Sequence, residues 1–154
     1  MIELYKPRTD ELSFREVMLS DSETMSYNRA YGGTVPFPRE RWAEWYGRWV
    51  EAEPWDRFYR YVKADGRLVG EVAYRFDEDL ALYLSDVLIY APYRGKGYGT
   101  AALTLLCQAA RDNGIRELFD CIAADNPSVS IFLKLGFSEV KRDGECVWVK
   151  KALK

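Results

Sequence analysis

Arg94-Gly-Lys-Gly-Tyr-Gly99 joins two segments of opposite character. Before it, Leu82–Tyr90 is apolar and rich in β-formers; after it, Thr100–Arg111 carries a helical pattern. A strand that turns through glycines into a helix builds an anion site, because the backbone can curl closely and the first-turn N–H groups lack intrahelical partners. The helix dipole adds roughly 0.3–1 kcal/mol for a negative charge at that end. Arg94 and Lys96 bring two cations to the same place. The chemistry implied is the holding of a phosphate or diphosphate. The P-loop pattern is absent, since no lysine precedes Thr100, and glycines spaced two apart at 95, 97 and 99 do not make the dinucleotide fingerprint.

The chain contains no histidine, so a general base must be a carboxylate, a tyrosinate, a cysteine or water. Glu71 and Asp86 stand in the two strands of one expected hairpin. With its turn centred near Glu78, Glu71 faces Ser85 or Asp86, and like charges across a ladder push one carboxyl upward. Asp86 also shares a face with Leu84 and Leu88, an expensive place for a charge without a task. The alternative is that both acids are solvated or paired with arginines. Tyr59, Tyr61 and Tyr83 are further candidates.

Around these residues the pattern reads as one domain over residues 1–154, of α/β (α+β) type. Ile2–Lys6 alternates as a first strand. Thr9 caps a helix through Leu19 with Phe14, Val17 and Met18 on one face, and loops follow from Ser20 to Ser26 and from Tyr31 to Pro38. A helix from Pro38 to about Ala52 places Trp42, Trp45, Tyr46, Trp49 and Val50 at helical spacing, a stripe that reads as core or as an aromatic wall. Phe58–Lys63 and Leu68–Phe76 flank the Asp65-Gly66 turn as a hairpin. The helix after the glycine loop buries Tyr98, Ala101, Ala102, Leu105 and Ala109. Leu118–Ala124 is a strand, a short helix ends at Gly136, and Phe137–Lys141 and Glu145–Lys150 form a last hairpin.

Composition narrows the function. Apolar residues make up 48% and charged residues 30%, with a net charge of −2 and no basic run, so nucleic acid is not expected as a partner. No apolar stretch is long enough to span a membrane, the opening residues lack an apolar leader core, and the expected location is the cytoplasm. Cys107, Cys121 and Cys146 are widely spaced and read as small buried hydrophobes in a reducing compartment; no metal site is expected.

Arg-x-x-Gly-x-Gly at Arg94–Gly99, followed by Asn126-Pro-Ser-Val-Ser-Ile-Phe-Leu-Lys-Leu-Gly-Phe137, resembles the signature of the GNAT N-acetyltransferase superfamily. The likeness covers essentially the whole chain, less clearly before Phe58. It implies a mixed, mostly antiparallel sheet of about seven strands, splayed at the cofactor site, with about four helices. It implies acetyl-CoA as co-substrate. The diphosphate is placed by resemblance on the N–H groups of Arg94, Gly95, Lys96, Gly97, Tyr98 and Gly99, with Thr100 opening the helix. The pantetheine arm runs along Leu88, Ile89 and Tyr90, and Asn126 hydrogen-bonds it or orders water beside it. Many members carry a tyrosine where this chain has Phe132, thought to protonate the leaving thiolate, and the Asn126–Phe137 block is one residue shorter than the commonest spacing.

The implied reaction is amine attack on a thioester. A lysine-like amine costs about 4.6 kcal/mol to deprotonate at pH 7, whereas protonating the leaving thiol is worth about 2 kcal/mol. The base is the larger need, and Glu71 and Asp86 are the candidates for it. Trp45 and Trp49 lie on the helix that roofs the acceptor cleft in this family. An aromatic roof over an acidic floor suits a small cationic amine. The alternatives are a protein or peptide N-terminal acetyltransferase, a non-catalytic acyl-CoA-binding protein, for which Phe132 speaks, and a nucleotide-binding domain unrelated to acetyl transfer. A homodimer is common among relatives.

Overall fold

The computed structural model describes residues 1–154, the side chains of residues 29–31 excepted; the loop expected from Tyr31 touches those residues. Seven strands form one sheet: β1 (Ile2–Tyr5), β2 (Arg57–Ala64), β3 (Arg67–Asp77), β4 (Leu82–Ile89), β5 (Glu117–Ala123), β6 (Ser138–Asp143) and β7 (Cys146–Ala152). Their spatial order is β1-β2-β3-β4-β5-β7-β6. Every neighbouring pair is antiparallel except β4 and β5, which are parallel. Four α-helices accompany them: α1 (Ser13–Ser20), α2 (Trp42–Trp49), α3 (Tyr98–Asp112) and α4 (Ser128–Lys134).

Alternation along the strands gives the sheet two apolar faces. Val62, Val72, Tyr74, Leu118, Ile122, Val147 and Val149 pack with Ala102, Leu103, Leu106 and Ala110 of α3 and Phe132 of α4. Tyr59, Tyr61, Ala73 and Leu88 pack on the opposite side with Leu12, Met18, Phe37, Trp42 and Trp45. The α3 stripe therefore runs one step away from the expected one, through Leu103, Leu106 and Cys107 rather than Ala101, Leu105 and Ala109. The apolar pattern satisfies either phase, and the larger leucines occupy the sheet side. Val17, expected inside, is 46% exposed because α1 buries Leu19 beside the expected Met18. The helix expected from Pro38 to Ala52 is a 3-10 turn at Arg39–Arg41 followed by α2, which stops at Trp49. A 3-10 helix at Ser26–Tyr31 lies where only loop was expected up to Ser26.

Two features of β3 and β4 set the site. Gly70 lies so close to β4 that an added Cβ would meet the Leu88 carbonyl oxygen at 2.3 Å, so only glycine fits. The β3–β4 ladder also differs in register from the sequence expectation: Glu71 faces Leu88, and Ala73 faces Asp86. Strand pairing runs to Asp77 and Leu82, which leaves the turn between them, with Ala81 at φ 56°. The turn centre thus lies beyond Glu78. Glu71 and Asp86 remain on one face as diagonal neighbours, about 7–8 Å apart at this spacing.

Candidate active site

β4 and β5 share a single ladder pair, Leu84 with Phe119, and then diverge. The β5-facing edge of β4 beyond Leu84 is therefore unpaired, as the splayed sheet of the resemblance implied. A cleft of about 340 Å³ opens at this split, lined from α1 and α2 by Arg15, Trp45 and Trp49 and from the strands by Tyr59, Glu71, Asp86 and Asp120.

The glycine loop closes the wide end of the split. Gly97 stands at the N-cap of α3 with φ 82°, and Gly95 has φ 80°. A Cβ at either position would meet nothing within 4 Å, so the loop presents an open concave surface. No side chain caps the helix. Its first-turn N–H groups, from Gly97 through Thr100, thus face outward as donors. This geometry fits a diphosphate. The Arg94 guanidinium, however, is engaged by backbone carbonyls. Its Nε donates to the Ile89 carbonyl (3.1 Å), and its Nη groups donate to the carbonyls of Glu23 (3.3 Å) and Thr24 (2.7 Å). Arg94 thus ties the end of β4 to the segment after α1, and Lys96 is the loop's exposed cation without such a tie among the described residues. Thr24 completes the tie by accepting from the Ala91 N–H at 3.0 Å. At the far side, the Asn126 side-chain oxygen accepts from the Ser128 N–H (2.9 Å) in the turn that leads into α4. Leu88 is buried, while Ile89 and Tyr90 are half-buried beside the split.

The acids divide by their partners. Glu71 is 3% exposed; it accepts the Tyr59 hydroxyl proton and pairs with Arg15, Nε to Oε1 at 3.1 Å. That guanidinium lies over Trp45 (4.4 Å), Phe37 (4.7 Å) and Tyr59 (5.8 Å). The cation on the Trp45 face is therefore the protein's own, and Arg57 similarly covers Trp49 at 4.7 Å. Trp45 is largely core, and both tryptophans line the cleft. Asp86 has no ion-pair partner among the described residues. Water reaches it through the cleft mouth, yet the walls crowd its carboxylate. This desolvation, with the Glu71 charge second and Arg15 opposing, pushes it up to about 6.

The remaining bases drop out on the same grounds. Burial first, and the Glu71 charge next, hold the Tyr59 hydroxyl well above its usual range. Tyr61 donates to the Glu11 carbonyl and Tyr83 to the Trp55 carbonyl, so both are occupied elsewhere. Cys121 lines the cleft, but burial and its contact with Cys146 push its thiol up to about 12. Arg15 and Asp120 escaped the sequence reading. Asp120 had left a signal: it shares the apolar face of β5 with Leu118 and Ile122. Arg15 left none, because its pairing with Glu71 spans most of the first half of the chain. Among the described residues no group of three acids, cysteines or histidines could hold a metal ion, and no helix is long and apolar enough to cross a membrane.

Residues 18–137 match the Acetyltransferase (GNAT) family, well over half of the chain, and the protein belongs to that family. An uncharacterized N-acetyltransferase of Methanocaldococcus jannaschii is 25% identical over 122 residues, covering 73% of this chain and 54% of that protein. An uncharacterized N-acetyltransferase of Bacillus subtilis, YycN, is 43% identical over 58 residues, 37% of each chain. The chain thus spans about half or less of these relatives in the matched stretch. Among solved structures, spermidine N-acetyltransferase from Vibrio cholerae, in complex with CoA and spermine, superposes with a TM-score of 0.81 at 15% identity, over 99% of this chain and 95% of that one. An N-acetyltransferase from Staphylococcus aureus Mu50 gives 0.76 at 17% identity, over 100% and 99%. At these identities the likeness is one of fold.

Proposed function

We propose that this protein transfers the acetyl group of acetyl-CoA to a primary amine, and that the acceptor is a small cationic metabolite. The observation that carries this reading is the split between β4 and β5, which joins an outward-facing ring of N–H donors to a cleft with an unpaired carboxylate. The diphosphate lies on the loop from Gly95 to Gly99, with Lys96 above it. The arm pairs with the free edge of β4 past Tyr90, Ile89 and Leu88, and Asn126 flanks it from the opposite side.

Asp86 is the base. Exposing the amine's free-base form costs about 4.6 kcal/mol at pH 7. A carboxylate raised to about 6 is ionised at that pH and a stronger proton acceptor than an ordinary aspartate. Glu71, held by Tyr59 and neutralised by Arg15, positions the aromatic roof instead. With that pair self-compensated, the Asp86 carboxylate leaves the cleft negative, which favours an ammonium group. The cleft volume of about 340 Å³ lies at the small end for ligand sites and suits a small amine over a folded protein surface. The spermine in the complex of the Vibrio cholerae neighbour is a cationic amine of this chemical type.

The test is acetyl transfer from acetyl-CoA across polyamines, aminoglycosides, amino acids and peptide N-termini. Turnover is expected with the small cations. Acetylation of peptides alone would move the assignment to N-terminal acetylation. Tight CoA binding with no transfer would make the protein a non-catalytic acyl-CoA binder, the reading favoured by the missing hydroxyl at Phe132.

A further inference from the structure

The Phe132 ring is 4% exposed and packs edge-on against Phe137 at 4.9 Å between centroids, so position 132 offers the split no hydroxyl. A different group stands at the closed end of the split. Asp120 pairs across the ladder with Val149, on the face that buries Leu118 and Ile122. It follows directly on Phe119, the residue of β5 that pairs with β4 in the ladder. It lines the same cleft as Asp86 and Ser85. No lysine or arginine pairs with it among the described residues. The Ser85 hydroxyl beside it donates to the Phe119 carbonyl (3.0 Å), and it also lies within reach of the Asp120 carboxyl, whose charged form it favours.

An unpaired carboxylate on an apolar face is costly, and the neutral acid is the cheaper form. Burial first, then the Asp86 charge, hold the Asp120 carboxyl well above the usual carboxylate range, against the Cys121 N–H and Ser85. Its place along the split matches the other end of the cofactor. From Tyr90, beside the glycine loop, back to Ser85 the strand covers about 16–17 Å at ~3.3 Å per residue. An arm extended along that edge from the loop brings its sulfur towards Asp120.

We propose that Asp120 is the general acid that protonates the departing thiolate of coenzyme A, in place of a hydroxyl at position 132. This rests on the acetyl-transfer reading of the cleft. The amine adds to the acetyl carbon, an N–C bond forms and the C–S bond breaks with its electron pair on sulfur. The Asp120 proton moves to that sulfur. One ammonium proton leaves to solvent by way of Asp86, and the second, lost as the amide forms, returns through Asp86 or water to Asp120. The acid ends as it began, with one proton released per turnover.

Asp120→Asn keeps the size and removes the acid. CoA affinity by calorimetry is expected to stay parental, and kcat at pH 7 to fall by about tenfold to thirtyfold, the deficit for releasing a thiol of pKa near 8.5 unprotonated. The deficit closes as pH rises past about 8.5, because the thiolate then needs no proton. Other groups around the cleft do not mimic this. Arg15 and Glu71 compensate one another, Arg75 is tied to Asp77, Tyr59 and Tyr74 are pushed upward by burial, and Cys121 stays a thiol. Asp86 bends both profiles near 6, and the ratio of parent to variant at each pH cancels it. A parental kcat at pH 7, or a deficit that stays constant from about pH 6.5 to about 9.5, overturns the proposal. Asp120→Leu, which fills the site without an acid, carries the same comparison if the amide variant does not fold. A parent that acetylates no amine overturns the underlying reading, whereas an active parent beside an unaffected variant overturns the acid alone.

Discussion

Replacing Asp86 by asparagine is expected to slow the enzyme and stabilise it at once. Its carboxyl sits at about 6 in the folded protein against an ordinary value of 3.8. Between those values the native state binds more protons than the unfolded chain, so stability falls as pH rises from about 4 to about 6 and is level above. The unscreened difference, about two pKa units, corresponds to about 3 kcal/mol. Water enters the cleft mouth and screens the group, so about 1 kcal/mol is the working figure. Asp86→Asn removes this penalty. Urea melts at about pH 7.5 should show the variant more stable by about 1 kcal/mol, or about 2–4 °C in Tm, with no gain near pH 4. Turnover at pH 7 should drop about a hundredfold or more at unchanged CoA affinity, since the base is gone. The parental rate should rise with pH through about 6, as Asp86 ionises. A variant with parental turnover, or one equally destabilised at both pH values, would refute the picture of a desolvated base.

Gly97→Glu places a strained side chain and a negative charge on the concave face of the loop; calorimetry should show CoA binding weakened at least tenfold, and unchanged affinity would remove the diphosphate from this loop. Glu71→Gln leaves Arg15 without its counter-charge in a largely buried setting and should cost about 3 kcal/mol in urea melts, with turnover per folded molecule much closer to parental than in Asp86→Asn. A stable but hundredfold slower Glu71→Gln variant would return the base to Glu71. The KM for a small cationic amine should rise between low and high salt, since carboxylate attraction is screened, and a salt-independent KM would argue against an ionic acceptor. Trp45→Ala should cost about 3–5 kcal/mol of stability, because the ring is 8% exposed and carries Arg15 on its face.

The fold and the glycine loop were legible in the sequence because they rest on local patterns. Alternation, glycine turns and helical stripes marked seven strands and four helices in the right order, and the Gly95–Gly99 loop needed only its neighbours in the chain to be recognised. Element ends and stripe phases were less secure, since Leu103 and Leu106 compete with Ala101 and Leu105 for the sheet side of α3 and only packing volume decides. The cleft was not local. Whether Glu71 or Asp86 is free depends on Arg15, distant in the chain, and the register that sets their spacing depends on the close approach at Gly70. Arg94 looked like a phosphate ligand until the Glu23 and Thr24 carbonyls came within its reach. Asp120 became visible as an acid in a consequential place once β4 and β5 were seen to part beside it. Sequence by itself determined which elements form, because hydrophobic periodicity and turn chemistry act over a few residues. Tertiary structure alone decided which charges are compensated, because desolvation and pairing depend on groups brought together from remote parts of the chain.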